Sequence, residues 1–264
     1  AVNTAQLKYT DSDSVVSGVN LTTATGASAT AGTHTIGGSA GTAANYDLTL
    51  TNGVLTVDKA ALTVTADNQR KAYGDTDPTL TYTVNAAQLK YTDTASVVGS
   101  VNLSAPTGAS ATAGTHAITG AGGTPANYDV NLVNGTLTVD KAALTVTADA
   151  KRKTYGDTDP TLTYAVNTAQ LKYTDSDSVV SGVALSTATG SAATAGTHTI
   201  TATGGTAANY TLTLADNTLT VDKASLAVTA NAQRKTYGDA EPTLTYSVDP
   251  AQLKYTDTAA VVRD

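Results

Sequence analysis

Cysteine, methionine, tryptophan and phenylalanine are all missing from this chain of 264 residues. Without cysteine there is no disulfide, no thiol nucleophile and no thiolate site for zinc or an iron–sulfur cluster. The core must therefore be built from Val, Leu, Ile, Ala and Tyr. Basic charge is also scarce: 15 Lys and Arg face 22 Asp and Glu, which leaves a net charge of −7. That sign is wrong for a nucleic-acid partner, and the basic residues stand in ones and twos rather than in a stripe. No apolar run approaches the ~20 residues of a membrane-spanning helix. No signal peptide is evident, but the chain opens on Ala1 rather than Met, and we expect the start of the gene product to lie upstream.

What is abundant is Thr, Ala, Gly, Val and Ser. Thr and Val favour strands, while Gly and Asn-Gly punctuate them. An acidic, cysteine-free, Thr-rich β chain has the composition expected of a secreted bacterial surface protein.

The strongest signal is repetition. Tyr73-Gly74-Asp75-Thr76-Asp77-Pro78 recurs as Tyr155-Gly156-Asp157-Thr158-Asp159-Pro160 and as Tyr237-Gly238-Asp239-Ala240-Glu241-Pro242, at a constant spacing of 82 residues. All 13 tyrosines fall at four positions of that period, exemplified by Tyr173, Tyr210, Tyr155 and Tyr164, and His34, His116 and His198 share a fifth. The period divides the chain into a partial repeat at 1–58, complete repeats at 59–140 and 141–222, and a second partial repeat at 223–264. No Gly/Ser/Pro linker separates them, so neighbouring modules are expected to rotate little and to form a semi-rigid rod.

Within a repeat, Ala61–Ala66 alternates apolar and polar residues as a half-buried strand does, and Asp67-Asn68-Gln69 breaks the alternation. Gly74 to Pro78 reads as a turn. Pro78–Val84 reads as a second strand, with Leu80, Tyr82 and Val84 inward. The stretch 85–98 admits a short helix, with Asp93 as a cap of its later turn, or an edge strand through Leu89 and Tyr91. Val101–Leu103, a loose loop and the strand Thr115–Thr119 follow. Tyr128–Val133, Asn134-Gly135 and Thr136–Asp140 predict a hairpin closed by a type I′ turn. Inward positions are odd in Leu137 and Val139 and even in Leu144 and Val146, so one module ends and the next begins across Asp140–Ala143. Most tyrosines alternate with Thr and are expected to face the core.

In order along the repeat stand Leu-Thr-Val-Thr-Ala, Lys-x-Tyr-Gly-Asp-x-Asp-Pro-Thr-Leu-Thr-Tyr, Gly-Thr-His-x-Ile-Thr, Ala-Asn-Tyr, and Asn-Gly-Thr-Leu-Thr-Val-Asp-Lys-Ala. This string resembles the MBG repeat of the Tyr-Gly-x type, found in tandem in large bacterial surface proteins that include filamentous-haemagglutinin-like adhesins. The resemblance covers essentially the whole chain. It implies a compact β-rich module, β-grasp-like or alternatively an Ig-like sandwich, and it brings no catalytic residues with it. Two features depart from the pattern: the histidine at 34, 116 and 198, where an aromatic is usual, and Asp216-Asn217 in place of Asn-Gly.

Candidate sites are few. The spaced acidic pairs Asp75 and Asp77, Asp157 and Asp159, and Asp239 and Glu241 offer the start of a calcium site, since calcium takes several oxygen ligands. Asp11 and Asp13, and Asp175 and Asp177, form further pairs. The competing reading is that these carboxylates cap turns through backbone N–H groups. One histidine per repeat, with no Ser or Cys partner, makes neither a triad nor a zinc site and reads as packing. Arg70-Lys71, Arg152-Lys153 and Arg234-Lys235 read as a solvated face with an acidic glycan as the functional alternative. Lys59, Lys141 and Lys223 beside Asp residues match part of the arrangement that forms internal isopeptide bonds, which further needs a buried acid.

No nucleophile, base and orienting group converge, so no enzyme is expected and no cofactor, calcium apart. The expected function is structural: a stalk, adhesin shaft or filament segment of an extracellular or cell-surface bacterial protein. Neighbouring repeats of the same chain are its first partners. Alternatives are a repeated binding module for a host or matrix glycan or protein, and a subunit that self-assembles into filaments. The last follows because 1–58 lacks what 223–246 supplies, so strand exchange between copies would build a non-closing assembly.

Overall fold

The computed structural model describes residues 1–262. The chain is mostly β, and among the described residues every helical segment is a short 3-10 turn. It divides into two compact units. One contains Ala1–Lys71, Thr76–Ala111 and Thr115–Val139. The other contains Ala72–Asp75, Thr112–Gly114 and the chain from Asp140 onward.

The stretch 141–222 illustrates how the strands are laid out. Ala142–Ala148, Lys151–Thr154, Tyr164–Val166, Ser181–Ser186, Gly196–Thr206, Tyr210–Ala215 and Asn217–Asp222 form two sheets. In the three-stranded sheet, Ala142–Ala148 lies between Tyr164–Val166, antiparallel, and Tyr210–Ala215, parallel. In the four-stranded sheet, Lys151–Thr154 pairs parallel with Asn217–Asp222, which pairs antiparallel with Gly196–Thr206, itself antiparallel to Ser181–Ser186. The first two strands of the repeat thus pair parallel with the last two, first with sixth in one sheet and second with seventh in the other. In each sheet one member of the parallel pair is an edge strand, and among the described residues 3-10 turns rather than α-helices join the strands. The stretch 59–140 repeats the arrangement, with Ala60–Ala66 between Tyr82–Val84 and Tyr128–Val133.

Alternation decides what is buried. Leu137, Val139, Leu144 and Val146 are each at most 3% exposed, so the inward parity does change across Asp140–Ala143. Under the first sheet of 59–140, Leu62, Val64, Val98 and Tyr128 form one cluster, covered by Leu89 and Val97 from the 3-10 turns. Under the second sheet of 141–222, Ala148, Ile200, Leu219 and Val221 form another, covered by Tyr155 and Leu162. Aliphatic residues and tyrosine suffice to make these cores dry.

Several expectations change. The Asn134-Gly135 hairpin is not formed. Neither residue takes a positive φ, Tyr128–Val133 pairs parallel with Ala60–Ala66, and Gly135–Asp140 belongs to the other sheet. Asn-Gly marks the crossing between sheets, opposite the break at Asp67-Asn68. Thr136 donates its N–H to Asn68 Oδ1 at 2.8 Å, and a Cβ at Gly135 would sit 2.5 Å from the Ala66 carbonyl oxygen. Asp216-Asn217 makes the same crossing with side chains instead: Asn217 Nδ2 donates to the Ala148 carbonyl at 2.9 Å.

The strand Pro78–Val84 is only Tyr82–Val84, because Pro78 has no N–H to give and, of the residues before Tyr82, only Thr81 finds a backbone partner, the Asp67 N–H. The stretch 85–98 holds two 3-10 turns, Ala86–Gln88 and Ala95–Val98. Thr94, not Asp93, precedes the second, since Asp93 is held by Tyr128.

Candidate functional site

Each complete repeat presents a tyrosine turn and a receptor for one. Ala72–Asp75 is a tight turn in which Asp75 donates its N–H to the Ala72 carbonyl and accepts the Ala72 N–H at 3.3 Å. Gly74 sits at φ 91°, and a Cβ there would lie 2.3 Å from the alkyl chain of Lys172, so glycine is needed twice over. The turn throws Tyr73, only 2% exposed, against two other tyrosines. Its ring meets Tyr173 edge-on at 5.4 Å and Tyr210 at 5.6 Å. Such edge-to-face pairs are favoured by the ring quadrupoles.

The receptor is built from one loop and one strand. The Lys172 N–H donates to the Tyr210 hydroxyl at 2.8 Å, and that hydroxyl donates to Asp175 Oδ2 at 2.6 Å. Tyr73 adds a second hydroxyl to the same carboxylate oxygen at 3.1 Å. Burial, reinforced by the adjacent carboxylate, pushes Tyr210 up to about 12 and raises Tyr73 above its ordinary value for the same reasons. Asn209, next to Tyr210, accepts the N–H of Ala113 at 3.0 Å, so a second loop docks beside the tyrosine.

The device recurs. Tyr155 meets Tyr255 at 5.6 Å, and burial together with the nearby Asp257 carboxylate raises its pKa, while Gly156 faces Lys254 as Gly74 faces Lys172. Ala31 donates to Asn127 at 3.0 Å as Ala113 does to Asn209. In each of these pairs one repeat supplies the turn or loop and the next supplies the receptor.

The expectation that most tyrosines face the core fails for one of the four positions. Tyr9, Tyr91, Tyr173 and Tyr255 take left-handed φ between 50° and 57° and project from a turn. Tyr9 and Tyr91, with no partner turn against them among the described residues, are 103% and 71% exposed; Tyr173 and Tyr255, each beside a docked tyrosine, are 45% and 47%. Their chemistry is not legible in local alternation. The available signal is the recurrence of Asp11, Asp93, Asp175 and Asp257 two residues after each of them.

The acidic pairs are placed within protein contacts. Asp77 forms an ion pair with Lys71 at 2.7 Å and accepts the Gly108 N–H at 3.1 Å; Asp159 does the same with Lys153 at 2.6 Å and Gly190 at 3.2 Å. The lysine hydrogen bond is the main reason both carboxylates lie below their ordinary range. Glu241 pairs with Lys235. Asp157 and Asp239 accept the N–H groups of Thr154 and Thr236 as Asp75 accepts that of Ala72. Among the described residues, no three His, Asp or Glu side chains gather as a metal would require.

Two of the three basic pairs are not a solvated face: Lys71 and Lys153 are buried, because they share the inward parity of the tyrosine that follows, whereas Arg152 points out and pairs with Asp222, and Arg234 and Lys235 are both exposed. The histidines sit inward of half-buried strands: His34 and His198 bond through Nε2 to the carbonyls of Thr30 and Thr194 at 2.6 Å, closing the loop before the strand. Lys59 and Lys141 donate to the carbonyls of Pro125 and Ala207, not to a carboxylate.

A family model described as MBG domain (YGX type) matches residues 62–138, 144–220 and 226–263. No curated protein matches the chain.

Proposed function

The chain belongs to the MBG domain family of the YGX type, and from that premise we propose that it is a non-enzymatic structural segment of a large bacterial surface protein, serving as a stalk or adhesin shaft. One observation carries this reading. The residues that mark the repeat, Tyr-Gly-Asp and its tyrosine–aspartate receptor, are devoted to joining repeat to repeat, as Tyr155 on Tyr255 and Asp257 does. A segment whose recurring residues serve its own junctions gains reach with each copy added. The absence of cysteine suits a chain that must fold without redox assistance.

Immunogold labelling of the intact parent cells with an antibody raised against this chain tests the proposal. Gold on the cell surface or on extracellular fibres is the expected result. Label that appears only after the cells are permeabilised overturns it.

A further inference from the structure

Cysteine and methionine, the ordinary sinks for oxidants, are missing from this chain, and so is tryptophan. Tyrosine is therefore its most readily oxidised side chain. At the junctions between repeats the tyrosines are gathered in contact. Tyr73 stands edge-on to Tyr173 at 5.4 Å, with an interplanar angle of 72°, and to Tyr210 at 5.6 Å. Tyr155 and Tyr255 repeat the first of these contacts at 5.6 Å and 70°. In both pairs one ring belongs to the docked turn, and the other projects from a left-handed turn of the following repeat. The projecting rings keep one side in solvent, with Tyr173 at 45% exposure and Tyr255 at 47%.

Oxidative coupling of two phenols needs an accessible ring where oxidation starts, a second ring within reach, and a base for the phenolic proton. Tyr173 is the accessible ring. Tyr73 lies against it, and its hydroxyl already donates to Asp175 Oδ2 at 3.1 Å. A phenol that loses an electron becomes a strong acid, and a carboxylate at hydrogen-bond distance takes the proton as the electron leaves. The Asp257 carboxylate stands near Tyr155 in the same way. Tyr210 is the poorer partner for Tyr73, because the Lys172 N–H and Asp175 pin its hydroxyl and it is only 2% exposed.

We propose that Tyr73 with Tyr173, and Tyr155 with Tyr255, are sites of dityrosine cross-linking, by which a one-electron oxidant of the peroxidase class, acting with hydrogen peroxide, staples a repeat covalently to the next. Each tyrosine gives up one electron and its phenolic proton. The two radicals combine through the ring carbons ortho to their oxygens, and the hydrogens on those carbons then move to the oxygens and restore both phenols. The pair loses two hydrogen atoms in all, and hydrogen peroxide takes up the two electrons and two protons to become two molecules of water. Tyr173 brings its ortho carbon to that of Tyr73 by turning about its side-chain bonds, a fast motion for an exposed ring. The link joins successive repeats and restrains the unfolded chain as a disulfide would, in a chain that has no cysteine. The inference goes beyond the structural reading above and does not depend on where the parent protein resides.

The test is treatment of the dilute full chain, mixed from unlabelled and 15N-labelled protein, with a peroxidase and hydrogen peroxide, followed by peptide mass spectrometry. The expected products are peptides joined through Tyr73 and Tyr173 and through Tyr155 and Tyr255. Each pair should be lighter by two hydrogen atoms, carry a single isotope and show the blue fluorescence of dityrosine. Tyr173→Phe should reduce the cross-link to Tyr73 at least tenfold and leave that between Tyr155 and Tyr255 at its original yield. Unfolding in urea before oxidation should reduce both at least tenfold. Coupling only between copies, coupling that favours Tyr9 or Tyr91 over the docked pairs, or oxidation of Tyr173 without a link to Tyr73 overturns the proposal. So does a yield that urea leaves unchanged.

Discussion

Asp175 takes two phenol hydroxyls on one carboxylate oxygen, from Tyr73 and Tyr210, and that sharing gives the junction a pH limit. Tyr210 loses its proton near 12 in the folded chain and near 10 when unfolded. The raised value means that the folded state holds the proton more tightly, so its contribution is complete below pH 10 and is lost as pH rises toward 12. Denaturant melts should therefore give constant stability across the neutral range and a decline above pH 10. Tyr210→Phe should cost about 1.5–3 kcal/mol at neutral pH, the usual worth of a hydrogen bond to a charged group, and should flatten the alkaline decline; an unchanged decline would assign it to other tyrosines.

At the scale of elements, the crossing at Asp67-Asn68 and Asn134-Gly135 holds each repeat together, since the chain passes there from one sheet to the other, between its first two strands and between its last two. Gly135→Val places a side chain against the Ala66 carbonyl and should destabilise by about 1–3 kcal/mol, the ordinary cost of overpacking. The matching change at Gly53, where there is room, should cost measurably less in the same thermal melts. Equal losses at both sites would contradict a tight crossing.

This element also shows what can be read from the sequence. Alternation places Leu137, Leu144 and their neighbours inward correctly, because one face of each strand is dry. It does not say which strand lies beside which, since parallel and antiparallel pairing share a period of two. Asn-Gly points to a local hairpin, and the long-range parallel partner wins. The burial of Lys71 is readable in principle: it shares parity with Tyr73, and its partner Asp77 stands six residues on. The tyrosine receptor is beyond local reading, since Tyr73 and Asp175 are 102 residues apart.

For the molecule as a whole, burial is uneven. Among the described residues, every member of the apolar core lies between Leu62 and Val221, and the flanking partial repeats contribute none. Hydrogen exchange on dilute, monomeric protein should find slow amides in the strands Ala60–Ala66, Ala142–Ala148 and Gly196–Thr206. Amides of Gly53–Val57 and Val228–Ala230 should exchange at least ~tenfold faster, because local opening there exposes little that is buried. Uniform protection along the chain would contradict this uneven burial.

The docking turn and its receptor have a consequence for how such a chain can change length. Tyr73 and Asp175, like Tyr155 and Asp257, keep one fixed offset along the sequence, so every repeat offers the same knob at one end and the same seat at the other. A deletion or duplication of 82 residues, wherever it starts, rejoins a knob to a seat and leaves each remaining junction as it was. A gain or loss that is not a multiple of 82 residues changes the offset of the junction it falls within. For this chain the tolerated step in heredity is the whole repeat.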